Sequence, residues 1–239
     1  MPSGFKREEL RSRYDVRSMD EDIWHSYTGK KTSETLSDFL SHNESSSSVL
    51  LNAGSGIYPI GAAGWTEISV DLFTQPLLGR PNAVCASIES LPFKSQSFGA
   101  VVCVGEVLAY CDPALAIAEF ARVLVPSGVL VCDFGSTRSF LRVLRASYGR
   151  SADLVVDQYN GKPERIWVYD PAYIDSILRS AGFTIRAQKG THTWSALARR
   201  VGLSSDKAAL LQKYLDWLLL PTRFADLMTV VAVRSENEK

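Results

Sequence analysis

The chain has 239 residues, of which 46% are hydrophobic, which is enough for one α/β domain with a sizeable core. Its 26 basic and 26 acidic residues cancel, so bulk charge argues against a nucleic-acid or membrane-surface partner. The sequence contains no apolar run of 18 residues, and we therefore predict no membrane span.

The chain begins with a helical pattern. Residues 6–42 are predicted to be helical, since apolar side chains recur at i, i+3 and i+4 in Leu36, Phe39 and Leu40. A serine-rich polar stretch, Ser41–Ser48, is predicted to be a loop. We expect residues 1–47 to form a helical cap on a domain that spans residues 48–239.

Strand and helix patterns alternate in the next part of the chain. This order is typical of a parallel sheet with helices on both faces. The predicted strands are Val49–Ala53, Glu67–Val70, Ala83–Ala86, Phe98–Val104 and Gly128–Phe134, and the predicted helices are Ile57–Ala63 and Pro113–Leu124.

The second half departs from this alternation. A hairpin is predicted around Asn160-Gly161, and residues 190–226 are predicted to form an insertion, so that cap insertions lie at about 150–170 and 190–226. The predicted helices are Thr137–Tyr148, Pro171–Ala181 and Asp206–Leu220, and the predicted strands are Leu154–Tyr159, Glu164–Tyr169, Phe183–Gln188 and Leu227–Arg234.

The four cysteines show no Cys-x-x-Cys spacing. We interpret them as reduced, mostly buried thiols of a cytoplasmic protein, with no metal site: Cys85, Cys103, Cys111 and Cys132. The charged segment 1–22 lacks the apolar core of a signal peptide, which favours the same compartment.

The most informative segment is the turn that follows the first strand. Gly54 and Gly56 lie in a small-residue loop, where the lack of a Cβ lets the backbone approach a ligand closely. Asp71 ends the second strand 19 residues after Asn52, and a carboxylate at that point can accept hydrogen bonds from ribose hydroxyls. A nicotinamide dinucleotide site would need a third glycine at position 59, where this chain has Pro59. The glycine loop could also be a turn with a purely structural role, without any ligand.

Several ordered segments carry a family resemblance: Leu51–Gly56, Val70-Asp71, Ile88–Phe93 and Glu119–Gly128. Together they resemble the class I S-adenosylmethionine (SAM)-dependent methyltransferases, nearest to the branch that includes ubiquinone/menaquinone-type and small-molecule enzymes. The resemblance covers roughly residues 48–188 and 225–234. It implies a Rossmann-like, doubly wound α/β sheet of seven strands with the last strand antiparallel, decorated by the cap and by hairpin and helical insertions.

The resemblance also implies a cofactor, SAM, with S-adenosylhomocysteine as product. The residues that it assigns to cofactor binding are Asn52, Ala53, Gly54, Ser55, Gly56, Asp71, Leu72, Ser87, Ile88, Val104, Gly105 and Glu106. The chain departs from the family at Asn52 and Ser87, where acidic residues are usual, and at Gly99, which replaces an aspartate; Tyr58 replaces the third glycine of the loop.

Candidates for catalysis and acceptor binding come from the resemblance and from residue types. Glu106, His25 and His192 are candidate catalytic groups. The resemblance implies that Glu106, just after the fourth strand, faces the acceptor, and the histidines can act as bases near neutral pH. Aromatic side chains that could enclose an apolar or planar acceptor, or simply pack the cap, are Tyr14, Tyr27, Tyr110, Tyr159, Trp167 and Trp194.

We expect methyl transfer to a small molecule by in-line displacement. Two arginine clusters keep an anionic acceptor such as RNA, a phosphate ester or a carboxylate open, although the zero net charge favours a solvated helix face: Arg138, Arg142 and Arg145, then Arg199 and Arg200. The alternatives are an RNA or protein methyltransferase and a non-catalytic module that keeps the fold. The sequence leaves a homodimer open.

Overall fold

The computed structural model describes residues 23–40, 46–159, 162–215, 218 and 221–236. The helices are α1 (Ile23–Leu40), α2 (Pro113–Val123), α3 (Pro171–Ser180), α4 (Thr193–Arg200) and α5 (Ser205–Leu215). The strands are β1 (Val49–Ala53), β2 (Thr66–Asp71), β3 (Ala83–Cys85), β4 (Phe98–Cys103), β5 (Leu124–Gly135), β6 (Ala152–Tyr159), β7 (Lys162–Tyr169), β8 (Phe183–Thr191) and β9 (Leu227–Arg234).

Seven of these strands form one sheet in the order β3-β2-β1-β4-β5-β9-β8. The pairs from β3 to β5 are parallel, whereas β9 runs antiparallel to both β5 and β8. Strands β6 and β7 pair separately as a hairpin, with Tyr159 opposite Lys162. The predicted Rossmann-like sheet with its antiparallel last strand is confirmed.

The parallel strands are buried on both faces, because alternate residues of each strand contribute to two different cores. On one face, Leu51 and Val101 pack with Phe120 of α2 and Leu178 of α3. On the other face, Leu50, Val102 and Val131 pack with Leu36 and Leu40 of α1. This continuous burial explains the apolar runs from which the strands were predicted.

Two helices begin with the same pair of residues. Asp112 caps α2 by accepting a hydrogen bond from Ala114 N, and Asp170 caps α3 by accepting one from Ala172 N. In both cases proline occupies the first helical position, where its missing N–H costs nothing. The predicted ends of these helices lie within one residue of the observed ones.

The predicted helix Ile57–Ala63 does not form. The Glu67 carboxylate accepts hydrogen bonds from Ile60 N at 3.0 Å and Gly61 N at 3.1 Å, so the side chain holds the segment as an extended loop. Gly56 and Gly61 both adopt positive φ, which is incompatible with a continuous helix. The loop packs its apolar residues on the same face as α1.

The predicted helix Thr137–Tyr148 is also wrong, since only Phe140–Arg142 form a 3₁₀ turn. Its arginines bind other elements instead of sharing one helical face: Arg138 pairs with Asp170 at 2.6 Å, and Arg142 pairs with Asp226. The 190–226 insertion contains two helices, α4 and α5, where one was predicted.

The predicted helix over residues 6–42 is observed as α1, and its first 17 residues lie outside the described part of the chain. Of the four thiols, only Cys85 is exposed. No helix in the described residues is long and apolar enough to cross a membrane.

Candidate active site

The glycine loop lies at the carboxyl ends of the parallel strands. Gly54 N and Ser55 N both donate to Val70 O of β2, at 2.8 and 2.9 Å, which fixes the loop to the neighbouring strand. Gly54 has a φ of 74°, and a Cβ there would lie 2.5 Å from Cγ1 of Val107. Only glycine therefore fits between β1 and the segment that follows β4.

Asp71 reaches back to this loop from the end of β2. One carboxylate oxygen accepts a hydrogen bond from Gly56 N at 2.9 Å, and the other accepts one from Phe73 N at 3.0 Å. The side chain is only 1% exposed. Burial raises the pKa of Asp71, and the two backbone hydrogen bonds oppose that rise.

Asn52, the predicted loop residue that departs from the family, is buried and engaged. Its Nδ2 donates to Glu67 Oε1 at 2.8 Å and to Tyr58 O at 3.0 Å. A neutral amide at this position is explained by the adjacent Glu67, because a carboxylate in place of Asn52 would face another carboxylate without donating to it.

Ser87 and Ile88 lie in a loop that α2 holds in place. Glu119 accepts a hydrogen bond from Leu91 N at 2.7 Å, and Arg122, paired with Glu119, donates to the carbonyls of Leu91 and Phe93. No hydrogen bond joins Ile88 N to another described residue, so this N–H remains an available donor.

The turn after β4 is anchored by an acid that sequence reasoning missed. Asp133 of β5 is fully buried and accepts hydrogen bonds from Gly105 N at 2.9 Å and Glu106 N at 2.7 Å. Gly105 and Glu106 both have positive φ, and this pair of left-handed residues aims two successive N–H groups at one carboxylate. Burial raises the pKa of Asp133 to about 6. An aspartate inside the apolar run of β5 was the sequence signal that could have revealed it.

The Glu106 side chain lies beside the end of β5. A Cβ on Gly135 would be 2.8 Å from Glu106 Oε1, so that glycine makes room for the carboxylate. The structure thus brings Gly54, Asp71 and Glu106 to one edge of the sheet, where ligands bind in open α/β folds.

His192 occupies a different environment. Its ring is 1% exposed, Nε2 lies 2.6 Å from Thr28 Oγ1, and Nδ1 lies 3.0 Å from Ser195 Oγ. The ring also packs edge-on against Tyr27 of α1. These contacts tie α1 to α4 and leave neither ring nitrogen facing solvent.

The predicted aromatic residues divide into separate groups. Gln212 contacts Tyr27 Oη at 3.4 Å and Trp194 N at 2.9 Å, whereas Tyr110 Oη donates to Glu164 at 2.9 Å. Trp167 is half-buried against the main core. Tyr14 and the side chains of His25 and Tyr159 lie outside the described residues.

The seven-stranded sheet with the glycine loop at its carboxyl edge is a Rossmann-like methyltransferase fold. Residues 52–132 match the family model described as methyltransferase domain. No curated protein sequence matches the chain. The methyltransferase-domain match supports SAM as the cofactor, as the resemblance implies.

Several solved structures share this architecture. The 1,6-didemethyltoxoflavin-N1-methyltransferase of Burkholderia thailandensis, bound to 1,6-didemethyltoxoflavin and S-adenosylhomocysteine, is 15% identical; the match covers 96% of this chain and 87% of that one, with a TM-score of 0.59. The glycopeptide N-methyltransferase MtfA, in complex with SAM, is 14% identical; the match covers 84% of this chain and 93% of that one, with a TM-score of 0.55. The [4+2]-cyclase SpnF is 16% identical; the match covers 84% of this chain and 80% of that one, with a TM-score of 0.53. Such identities establish the fold only.

Proposed function

We propose that the chain is a SAM-dependent methyltransferase that acts on a small-molecule acceptor. The observation that carries the proposal is the convergence of three elements at one edge: the Gly54–Gly56 loop, the Asp71 carboxylate and the turn that Asp133 holds. The segment that matches the methyltransferase-domain model contains the loop, Asp71 and the Gly105–Glu106 turn, and it ends directly before Asp133.

The residues at this edge fit an adenosyl cofactor. A Cβ on Gly56 would meet no atom within 4 Å, so the loop backbone there faces open space, and Ile88 N is an available donor in the loop expected to face the adenine. Each Asp71 oxygen accepts one backbone N–H, and a carboxylate oxygen can accept a second hydrogen bond.

When bound, SAM supplies a methyl group on a positively charged sulfonium, which is already activated for displacement. The protein's contribution is therefore to align the acceptor with that methyl group and to exclude water. We propose that Glu106 orients the acceptor, since its backbone is fixed by Asp133 and its carboxylate lies at Gly135 on the same edge. The two ring-nitrogen contacts of His192 support a structural role for this residue in joining α1 to α4.

A small acceptor is favoured over a macromolecule by charge and by enclosure. The chain has no net charge, whereas RNA-binding enzymes need many basic contacts to phosphates. The β6–β7 hairpin packs on the segment after Glu106 through Val155, Ile166 and Val168. This hairpin therefore walls the edge on one side, which suits an acceptor that can be enclosed.

The test is calorimetric titration with SAM and S-adenosylhomocysteine, with NAD as control, followed by methyl transfer from labelled SAM to a panel of small acceptors, a protein and an RNA. We expect both adenosyl ligands to bind, NAD not to bind, and label to appear in a small molecule. Turnover on RNA or protein alone would contradict the proposed acceptor class. Binding without turnover on any acceptor would favour a non-catalytic role or a different use of the fold, as the cyclase illustrates.

A further inference from the structure

The described residues form a cleft of about 180 Å³. It is bounded by the 3₁₀ turn after β5, by strand β6 and by helix α4. Its lining consists of three arginines and three aliphatic residues: Leu141, Arg142, Arg145, Val155, Val156 and Arg199. The folding of the chain thus brings members of both predicted arginine clusters together, although the helix that was expected to carry the first cluster does not form.

The three guanidinium groups have different surroundings. Arg142 is buried, forms an ion pair with Asp226 and donates a hydrogen bond to Ser136 O. The Arg142–Asp226 ion pair therefore carries no net charge into the cleft. Arg145 is exposed, and its side chain makes no ion pair with another described residue; Arg199 is half-buried on α4. The lining, all of which lies in the described part of the chain, contains no acidic side chain. Arg145 therefore adds a positive charge to the cleft that no acidic side chain of the lining offsets.

The remaining lining is apolar. Val155 is 3% exposed and belongs to the same small core as Ala109, in the 3₁₀ turn that directly follows Glu106. Val156 is 60% exposed and offers apolar surface at the opening. The volume is far larger than the ~15 Å³ that one water requires, yet below the roughly 300–1,000 Å³ of a pocket for a whole drug-sized ligand. It suits one end of a small molecule.

We infer that this cleft is a subsite for an anionic group, a carboxylate or a phosphate, borne on an apolar or aromatic acceptor. Arg145 and Arg199 bind the anion, because guanidinium groups make paired, charge-assisted hydrogen bonds to carboxylate and phosphate oxygens. Leu141, Val155 and Val156 contact the apolar part. The inference rests on the proposed function, since it names the class of acceptor that the same edge of the sheet would take.

The experiment uses the full chain and four probes: phenyl phosphate, benzoate, inorganic phosphate and benzamide, the last a neutral match for benzoate. Binding is measured by calorimetry in the wild type, in the double variant Arg145→Ala/Arg199→Ala, and in Arg200→Ala, which removes a neighbouring exposed charge outside the lining. Arg142 is left intact, because its removal would leave Asp226 buried without its ion-pair partner.

We expect benzoate and phenyl phosphate to bind more tightly than benzamide, and phenyl phosphate to bind more tightly than inorganic phosphate. The double variant should weaken binding of both aromatic anions about tenfold, the scale of charge-assisted hydrogen bonds at a partly exposed site, whereas Arg200→Ala should leave it unchanged. Equal affinity for benzoate and benzamide, or unchanged anion binding in the double variant, would overturn the inference.

Two further arms separate the alternatives. A short single-stranded RNA that binds while phenyl phosphate does not would reassign the arginines to a nucleic-acid surface and overturn the subsite. S-adenosylhomocysteine is titrated into the same samples, and its affinity should be the same in all three proteins. Failure of the wild type to bind it contradicts the proposed function, whereas loss of anion binding alone contradicts only the cleft.

Discussion

The buried carboxylate of Asp133 makes a pH-dependent contribution to stability that can be isolated by substitution. Its pKa in the folded protein is about 6, against an ordinary value of 3.8, because burial disfavours the charged form more than the N–H groups of Gly105 and Glu106 favour it. The folded state therefore binds a proton between these two pH values that the unfolded state has released. It follows that the Asp133 contribution becomes less favourable as pH rises from about 4 to about 6.

The magnitude follows from the size of the shift. About two pKa units at 1.36 kcal/mol each correspond to about 3 kcal/mol between pH 4 and pH 7. Asp133→Asn removes this titration, and its single carbonyl oxygen can accept from both N–H groups only by sharing. The free energy of unfolding of the wild type relative to this variant should thus fall by roughly that amount as pH rises. The titration of the other carboxylates contributes equally to both proteins and therefore cancels in this difference.

The assay is urea denaturation of the wild type and Asp133→Asn at half-unit steps from pH 4 to pH 7. Calorimetry with S-adenosylhomocysteine at pH 7.5 is the second readout, and weaker binding is expected in the variant because the Gly105–Glu106 turn loses its anchor. A stability difference that stays constant across this pH range would refute the reasoning.

Three further substitutions test individual contacts. Gly54→Ala should destabilise the fold by about 2–4 kcal/mol through its positive φ and the clash with Val107, and adding Val107→Ala should recover the steric part in a double-mutant cycle; strict additivity would contradict the contact. His192→Phe should cost about 2 kcal/mol, since two buried hydroxyl contacts are lost; an unchanged urea midpoint would count against the α1–α4 link. Asp226→Asn should lower the free energy of unfolding by about 3 kcal/mol at pH 7, because it leaves the Arg142 charge uncompensated. A loss below about 1 kcal/mol, the scale of an exposed ion pair, would refute this expectation.

The sheet was predictable because its strands carry the signal themselves. β1, β4 and β5 are buried on both faces, and β9 was predicted with its observed ends, Leu227 and Arg234. The helices α2 and α3 were equally clear, since an aspartate followed by proline marks each start. Local sequence and burial agree in all these elements.

The two predicted helices that do not form, Ile57–Ala63 and Thr137–Tyr148, show that local sequence patterns carry no information on contacts with other elements. Residues 57–63 are held by Glu67 of β2, and the segment after β5 is held by Asp170 and Asp226, which lie far away in the sequence. Helical periodicity at the arginines was therefore overridden by tertiary ion pairs. The backbone trace of the candidate site was foreseeable from its glycines, whereas the anchoring acid Asp133 requires the pairing of β4 with β5 to be known.

The central claim is that this edge of the sheet binds the adenosyl cofactor through Asp71. The most direct measurement is calorimetric titration of SAM into the wild type and into Asp71→Ala, with folding of both checked by circular dichroism. We predict binding to the wild type and a loss of roughly 1–3 kcal/mol in the variant, the scale of a charge-assisted hydrogen bond. Equal affinity in the two folded proteins, or no binding to the wild type, would contradict the account.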